Sequence, residues 1–205
     1  MPGKRAITEA DVREAARAGR TLDLPAGAVV TPAARDLAGA LGVALREAAG
    51  TDARTRGGTV AIGADHGGFP LKEQLKSVIA ESGYQVLDLG TSDVQAVDYP
   101  DFAVAVARAV AEGRAWRGIM IDGAGIGSAM AANKVAGVRA ALCHDITTAQ
   151  NAREHNDANV LTLGGTLIGT RLAVDIVRTF LSAAFGGGRH AKRVEKINAL
   201  DAGRG

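Results

Sequence analysis

The sequence has little cysteine, few aromatic residues and almost no net charge, and each shortage excludes a class of protein. Cys143 is the only cysteine among 205 residues, so no disulfide can form within the chain and a cytoplasmic location is the default expectation. Aromatic residues make up 3% of the chain, and therefore Ala, Val, Leu and Ile must fill the core. The net charge of +2 is too small to indicate binding to nucleic acid or to a membrane surface.

Long apolar runs are also missing. No run approaches the roughly 18 residues of a membrane-spanning helix, and residues 1–19 contain acidic residues but no apolar segment of the kind found in secretory signals. Hydrophobic residues nevertheless make up 47% of the chain and charged residues 22%, as in globular domains.

Strand-like runs alternate with helical patterns after residue 57. Strands are predicted at 59–65, 85–90, 118–121, 138–143 and 159–164. Between and after them lie helical patterns, the main ones at 70–83, 99–113, 146–154, 170–184 and 187–200. This alternation predicts an α/β fold, a Rossmann-like three-layer αβα sandwich around a five-stranded parallel sheet.

The first 57 residues form a separate part of the chain in this interpretation. Residues 7–19 are a helix candidate, and Thr31 and Pro32 have the residue types of the N-cap and first position of a second helix, which Gly42 would end. A polar, glycine-ended stretch at 51–58 is typical of a linker. The predicted organisation is therefore a small helical N-terminal extension of residues 1–57 and a domain of residues 58–205.

The stretch IMIDGAGIGSAMAANK (119–134) contains a glycine-rich loop. Gly123, Gly125 and Gly127 follow a predicted strand and precede a helix, so the backbone can approach a ligand closely and present free N–H groups to negative charge. A dinucleotide fingerprint would need glycine where Ser128 stands, and no acidic residue follows at the required distance. A tight turn that binds nothing is the structural alternative.

Other polar groups lie at the ends of the first and third predicted strands, before the fifth, or in the last helical stretch. Each has a structural interpretation, since Asp65 is suited to cap a helix and charged helix faces are usually only solvated. Together they supply an acid–base pair, an imidazole and an arginine clamp for an anion, which suits a small phosphorylated substrate that exchanges protons. These residues are Asp65, His66, Asp122, His155, Asn156, Asp157, Arg189, His190 and Arg193.

Five stretches together resemble the ribose-5-phosphate isomerase B family, which also contains the galactose-6-phosphate isomerase subunits. They are GADHGGFPLKEQL (63–75), DYPDFA (98–103), GAGIGSAMAANKVAGVRAAL (123–142), AREHNDANVLTLGG (152–165) and GGRHAKRVEKI (187–197). The resemblance implies a Rossmann-like fold and a dimer or tetramer whose active sites are shared between subunits. It also implies aldose–ketose interconversion of a sugar phosphate through a cis-enediolate, without a metal or other cofactor.

The same resemblance implies a role for each candidate residue. Asp65 and His66 would contact the sugar, with Asp65 among the catalytic residues, and His155 would help to open the sugar ring. Sugar hydroxyls would be held by Asn133 and Asn156. The phosphate would be bound across the dimer by Arg189, His190 and Arg193. The enediolate oxygens would face the backbone of the loop, and the substrate-binding set there comprises Gly123, Ala124, Gly125, Gly127 and Ser128.

The sequence departs from the family pattern at several of these positions. One branch of the family has a cysteine base where Asp122 stands, and another has a glutamate base where Ser128 stands, so Asp122 is the predicted base. Ala124 replaces a usual Ser or Thr, and Thr166 replaces an arginine that helps to bind phosphate. An altered substrate or a non-catalytic sugar-phosphate-binding subunit is therefore one alternative, and a nucleotide-binding module is another.

The N-terminal extension carries a second, shorter resemblance. Its VTPAARDLAGALGV stretch (30–43) is similar to N-terminal segments of enzymes packaged in bacterial microcompartments. This resemblance implies shell proteins as partners and a location inside such a compartment. An arm for packing or oligomerisation is the alternative.

Overall fold

A computed structural model of the chain describes residues 6–17, 19, 21–24, 29–47 and 58–203. The chain divides into two compact units, Met1–Asp52 and Ala53–Gly205. Most of the predicted linker at 51–58 lies outside the described residues. No helix in the described ranges has the length and apolarity that a membrane crossing requires.

The N-terminal unit contains two strand–helix–strand motifs in tandem, and the two strands of each motif belong to different two-stranded sheets. The first comprises β1 (Ala6–Ile7), α1 (Glu9–Arg17) and β2 (Leu22–Leu24), and the second comprises β3 (Val29–Val30), α2 (Pro32–Leu41) and β4 (Leu45–Glu47). Strands β1 and β3 pair in parallel, as do β2 and β4. In both pairs a residue of the first motif lies beside the residue 23 positions later, which indicates an internal duplication.

The two motifs match in detail. Gly19 and Gly42 follow the two helices with φ of 60° and 64°, a left-handed conformation that favours glycine. A separate core lies between the helices and comprises Val12, Ala15, Ala34, Ala38 and Val43. Both predicted helices are present, and the hydroxyl of Thr31 accepts a hydrogen bond from the N–H of Ala34 at 3.2 Å as an N-cap. The four short strands and the duplication were not predicted.

The C-terminal unit is built on one parallel sheet of five strands, as predicted. The strands are β5 (Thr59–Ala64), β6 (Gln85–Asp88), β7 (Arg117–Asp122), β8 (Ala140–Leu142) and β9 (Val160–Gly164), in the spatial order β6-β5-β7-β9-β8. The helices are α3 (Phe69–Glu81), α4 (Tyr99–Ala111), α5 (Ile126–Ala132), α6 (Ile146–Asn156), α7 (Thr170–Ser182) and α8 (Ala191–Ala199). Two short 3-10 turns flank α8, at Gly188–His190 and Leu200–Gly203.

Alternate residues of the strands point to opposite faces of the sheet, and each face is covered by helices. Val60 and Ile62 belong to a core formed with α3, α6 and α7. Ala61, between them, packs with residues of α4 and α5 on the other face. Gly63 allows helix α4 to lie close to the sheet, since a Cβ added at Gly63 would be only 2.7 Å from Val106.

The strand order reverses at β5. The chain leaves β5 towards β6 on one side and returns to β7 on the other, so helices α3 and α4 lie on opposite faces. In sheets of this kind the crevice at the carboxyl ends of the strands, next to the reversal, is the usual place for a ligand.

Candidate active site

Three strands end together at this crevice. Asp65 follows β5, Asp122 ends β7, and β9 pairs Gly164 with Asp122. Since Ala64 pairs with Ile121, Asp65 and Asp122 lie beside one another on strands about 4.8 Å apart. The three segments after these strands therefore meet at the carboxyl ends of the strands, which we call the carboxyl edge of the sheet.

Asp122 is buried, with 4% of its surface exposed, and its carboxylate is fully engaged by its own loop. Oδ1 accepts hydrogen bonds from the N–H of Ala124 at 2.9 Å and from the N–H of Gly125. Oδ2 accepts from the N–H of Ser128 at 3.1 Å and from its hydroxyl. Gly125 is the N-cap of α5 and has no side chain, so Asp122 supplies the capping oxygens in its place.

These contacts change the expected use of the loop amides. The N–H groups of Ala124 and Gly125 were predicted to face the enediolate oxygens, but in this structure they donate to Asp122. Within the described part of the chain, the N–H groups of Gly123, Ile126 and Gly127 donate to no other protein group. These three remain available to a substrate oxygen. Ile126 lies within the 123–127 backbone predicted for this role, although it was not among the substrate-binding residues named from the sequence.

Asp65 and His66 lie at the same edge. Oδ1 of Asp65 accepts a hydrogen bond from the N–H of Gly68 at 2.9 Å, which agrees with a capping role, whereas Oδ2 accepts none from the described residues. Nδ1 of the exposed His66 accepts from the N–H of Val97 at 3.2 Å. A neutral His66 ring must then carry its hydrogen on Nε2, which can donate to a bound molecule.

Tyr99 is a further residue of this edge that the sequence analysis did not select. A Cβ added at Gly127 would lie 2.4 Å from the Tyr99 ring and hydroxyl, so the phenol packs directly on the glycine loop. The residue is 38% exposed and can contact a ligand. Its signal in the sequence was its place at the start of α4, in a chain with only two tyrosines.

Thr166 connects the third segment to the loop. Its N–H and its hydroxyl both donate to the carbonyl of Gly123, at 3.1 Å and 2.6 Å. The N–H of Gly165 donates to the carbonyl of Asp122 at 2.7 Å. The position where the family commonly has an arginine therefore supports the loop backbone in this chain.

The remaining predicted residues lie at the opposite edge, at the amino-terminal ends of the strands. Helix α6 starts after β8 and runs back for 11 residues, or about 16 Å, so that His155 and Asn156 end it beside the start of β9. Helix α7 runs back in the same way, and Arg189, His190 and Arg193 follow it. Val160 and Gly164, at the two ends of β9, are about 13 Å apart along the strand.

The side chains at this edge form what we call the histidine–arginine cluster: His155, Arg189, His190 and Arg193. The rings of His155 and His190 stack in parallel, with centroids 4.1 Å apart and an interplanar angle of 5°. Nε of Arg189 lies 3.4 Å from Nε2 of His190. Partial burial, followed by the charges of His155, Arg189 and Arg193, lowers the pKa of His190 below its usual value. An anion would relieve this repulsion, so the cluster is suited to a phosphate.

Asp157 fixes the turn that follows His155. It has φ of 47°, which is unusual for a residue other than glycine. Its carboxylate accepts hydrogen bonds from Arg153 at 2.8 Å and from Arg139 at 3.2 Å. Burial lowers the pKa of Arg153, while the hydrogen bond with Asp157 opposes that shift. The two guanidinium groups thus hold the end of α6 in one conformation.

Asn133 has structural partners. Its side-chain N–H₂ donates to the carbonyls of Ala129 and Ala140, both at 2.9 Å, and its oxygen accepts from the N–H of Ala140 at 2.9 Å. These contacts join α5 to β8 and favour a structural role. The assignment of Asn133 to a sugar hydroxyl stays a prediction.

The structure offers no cluster of three or more His, Cys, Asp or Glu side chains for a metal ion within the residues it describes. A groove of about 280 Å³ lies between β8 and α6 and includes Asn151 and Asn156 in its wall. Cys143 also lines it, and burial raises the pKa of this thiol to about 11, so it is protonated at neutral pH.

Comparison with known proteins agrees with the geometry of the C-terminal unit. Residues 60–197 match the model of the Ribose/Galactose Isomerase family. Ribose-5-phosphate isomerase B of Escherichia coli is 46% identical over 142 residues, which are 69% of this chain and 95% of the relative. D-erythrulose-4-phosphate isomerase of Pectobacterium atrosepticum is 42% identical over 140 residues, 68% of this chain and 92% of the relative.

The fold agrees as well. A solved structure of ribose-5-phosphate isomerase B from Clostridium thermocellum has a TM-score of 0.70 and 49% sequence identity, and the alignment covers 72% of this chain and 99% of that one. The family match spans all five strands of the parallel sheet except Thr59, and both predicted groups of site residues. The chain therefore belongs to the ribose/galactose isomerase family.

Proposed function

We propose that the chain interconverts the aldose and ketose forms of a sugar phosphate with four to six carbons by proton transfer through a cis-enediolate. The observation that carries the proposal is the meeting of Asp65, His66 and the Asp122 loop at the carboxyl edge, with three loop amides that donate to no group among the described residues. A base near the substrate carbon and donors near its oxygens are what this reaction needs.

Asp122 is the proposed base. In the reaction a base takes the proton from the carbon next to the carbonyl and returns it to the carbonyl carbon, while the oxygens carry the negative charge. One well-placed N–H donor can stabilise such an oxygen by about 2.7–4 kcal/mol. Asp65 is a second candidate base, because its Oδ2 accepts no hydrogen bond from the described residues. Asp122, by contrast, accepts four hydrogen bonds and must first lose one of them.

We further propose that each active site is shared by two copies of the chain. Within one copy, the Asp122 loop and the histidine–arginine cluster lie at opposite edges of the sheet, too far apart for hydrogen bonds to one small substrate. A second copy would bring its own Arg189, His190 and Arg193 to the phosphate. A dimer is the smallest assembly with this property, and a tetramer would contain it twice.

The identity of the sugar is a separate proposal. Relatives with similar sequences carry names that specify ribose-5-phosphate and D-erythrulose-4-phosphate, so both compounds are candidate substrates. Ala124 lacks a hydroxyl that family members usually have, and Thr166 supports the loop instead of providing a guanidinium group. These two positions favour an altered substrate, or a subunit that binds sugar phosphates without turnover, as the second candidate function.

For residues 1–57 two proposals stand side by side. One is attachment to the shell proteins of a bacterial microcompartment, and the other is an arm for oligomerisation. The duplicated motif with its own core supports a compact attachment unit in either case. Co-sedimentation of the full chain and of a chain lacking residues 1–57 with shell assemblies separates the two.

The test of the catalytic proposal is a panel of aldose and ketose phosphates of four, five and six carbons, assayed for isomer formation and for exchange of substrate hydrogen with D₂O. Asp122→Asn should lower kcat/KM by about 10²–10⁴, the usual contribution of a positioned base. Asp145→Asn is the matched control, because Asp145 also caps a helix, accepting from the N–H of Thr148 at 2.8 Å, but does so at α6.

Three outcomes are decisive. Full turnover by Asp122→Asn would remove Asp122 as the base, and inactive Asp65→Asn would then assign that role to Asp65. Binding of sugar phosphates without isomerisation or hydrogen exchange would favour the non-catalytic subunit. Binding of a dinucleotide in place of sugar phosphates would revive the nucleotide-binding alternative.

A further inference from the structure

Helix α8 carries part of the histidine–arginine cluster but buries little of its own surface. The structure describes every residue of this helix, and Val194 alone among them is buried, with 7% of its surface exposed. The 3-10 turn that precedes α8 supplies Arg189 and His190 and contains no buried residue. Because one apolar side chain leaves a helix free to shift, polar contacts must contribute strongly to the placement of Arg193.

Arg139 supplies such contacts from the sheet. It lies directly before β8, and 16% of its side chain is exposed. Its Nη1 donates a hydrogen bond to the side-chain oxygen of Asn198, in the last turn of α8, at 3.0 Å. Its Nε and Nη2 donate to the carbonyl of Asp157 at 3.0 Å and 2.9 Å, and Nη2 also donates to the Asp157 carboxylate at 3.2 Å. One guanidinium group therefore joins α8 to the turn that follows His155 and Asn156.

The start of two strands fixes Arg139 itself. Its N–H donates to the side-chain oxygen of Asn159 at 2.8 Å, and its carbonyl accepts from the N–H of Asn159 at 3.0 Å. A guanidinium group holds several N–H donors in a rigid plane, so it can serve two partners in a defined geometry, which the single ammonium group of lysine cannot do. Arg139 is thus suited to set the distance and orientation between α8 and the end of α6.

Other contacts near this junction act at different points. The stacked rings of His155 and His190 hold the segment before α8, and a hydrogen bond ties the 3-10 turn after α8 to the chain before β8. The contact between Arg139 and Asn198 is made by α8 itself. Its loss should therefore alter the placement of the helix that carries Arg193.

We infer that Arg139 is a positioning residue for phosphate binding, which holds Arg193 on α8 in a fixed position relative to His155 and Asn156 at the end of α6. This inference rests on the proposed binding of the substrate phosphate by the histidine–arginine cluster. The competing interpretation is that Arg139 only stabilises the fold around Asp157.

Asn198→Ala is the main test, because it removes one contact of Arg139 at an exposed site and leaves the contacts with Asp157 in place. The Kd of inorganic phosphate, measured on the full chain from the shifts of the His190 ring signals in ¹H NMR, should rise about two- to tenfold, the range for one lost hydrogen bond. KM for the sugar phosphate that the panel identifies should rise by a similar factor with kcat nearly unchanged. The urea midpoint of unfolding should stay in place, since exposed groups can bind water instead.

Two further variants and a control sharpen the test. Arg139→Lys keeps the positive charge but loses the planar fork, so it should weaken phosphate binding at least as much as Asn198→Ala. In an Arg193→Ala background, Asn198→Ala should have a smaller effect than it has alone, because no guanidinium group is left at 193 to be placed. Gln74→Ala is the matched control, because Gln74 is an exposed helical amide that donates to the carbonyl of Pro70 at 3.3 Å, and its loss should leave phosphate binding unchanged.

The outcomes separate this inference from the proposed function. An unchanged phosphate Kd in both Asn198→Ala and Arg139→Lys would overturn the inference and leave the proposed function intact. An equal effect of Asn198→Ala with and without Arg193 would do the same, because the contact would then act on stability and not on that guanidinium group. If inorganic phosphate leaves the His190 signals of the unmodified protein unchanged, the phosphate role of the histidine–arginine cluster is refuted, and the inference with it.

Discussion

The separation of the site residues within one chain predicts that two inactive variants restore activity when they share an oligomer. Asp122→Asn damages the carboxyl edge of the sheet, and Arg189→Ala combined with Arg193→Ala damages the histidine–arginine cluster. Both arginines are exposed, so their replacement should not unfold the domain. Each variant alone should form oligomers in which every active site lacks one half.

The expected recovery follows from the symmetry of a dimer with two shared sites. Random association of equal amounts gives mixed dimers in about half of all cases. In a mixed dimer one site combines both intact halves and the other combines both damaged halves. The mixture should therefore reach about a quarter of the activity of the unmodified protein, and purified mixed dimers should reach about half.

The assay uses co-expression of the two variants with different affinity tags, two-step purification of the mixed oligomer and measurement of isomerisation. The control is a mixture in which both partners carry Asp122→Asn, distinguished only by their tags. If the purified mixed oligomer is no more active than the separate variants, each site is contained within a single copy. Since the sheet places the two halves at opposite edges, that result would also contradict the assignment of the histidine–arginine cluster to the phosphate.

Three further predictions concern single positions and the N-terminal unit. Gly125→Ala should lower the free energy of unfolding, measured by urea titration, by at least about 2 kcal/mol, because Gly125 has φ of 78° and its Cβ would lie 2.8 Å from the main chain of Leu163. Gly123→Ala is the control and should lower the free energy of unfolding much less, because a Cβ at Gly123 would have nothing within 4 Å. In ¹H NMR, His190 should titrate below the usual 6.5, since burial and neighbouring positive charges disfavour its protonation, and inorganic phosphate should raise the midpoint; a midpoint above 6.5 without phosphate would contradict this. Removal of residues 1–57 should leave kcat/KM within about twofold, because the family match begins at residue 60; a large loss would show that the extension contributes to the site.

The central strands of the sheet could be predicted because they share one strong physical signal. Predicted strand 59–65 corresponds to Thr59–Ala64, and 159–164 corresponds to Val160–Gly164, since these central strands are buried on both faces and form nearly continuous apolar runs. The prediction for 138–143 was too long, because β8 lies at the edge of the sheet and pairs only over Ala140–Leu142. The strands of the N-terminal unit have two or three residues, too few for an alternating pattern.

The direction of hydrogen bonds in the site could not be read from residue types. An aspartate at a strand end, followed by a glycine loop, suits an acid that faces a substrate and equally an acid that caps the next helix. In the structure Asp122 makes the capping contacts, because the N–H groups of Gly125 and Ser128 lie within hydrogen-bonding distance of its carboxylate oxygens. Likewise Asn133 has an amide suited to a sugar hydroxyl, yet the adjacent strand β8 takes up its hydrogen-bonding groups.

The departures from the family pattern are parts of one connected arrangement. A carboxylate at position 122 collects the N–H groups of Ala124, Gly125 and Ser128, which a cysteine sulfur, as a weak acceptor, would hold poorly. The hydroxyl of Ser128 fits because the carboxylate offers it an acceptor, and Thr166 secures the start of the same loop through Gly123. Replacement of Asp122 by cysteine alone would therefore remove the anchor of the loop without supplying a base in working geometry. On the proposed assignment of the base to Asp122, we expect a change of base to involve positions 122 and 128 together, because each completes the hydrogen bonding of the other.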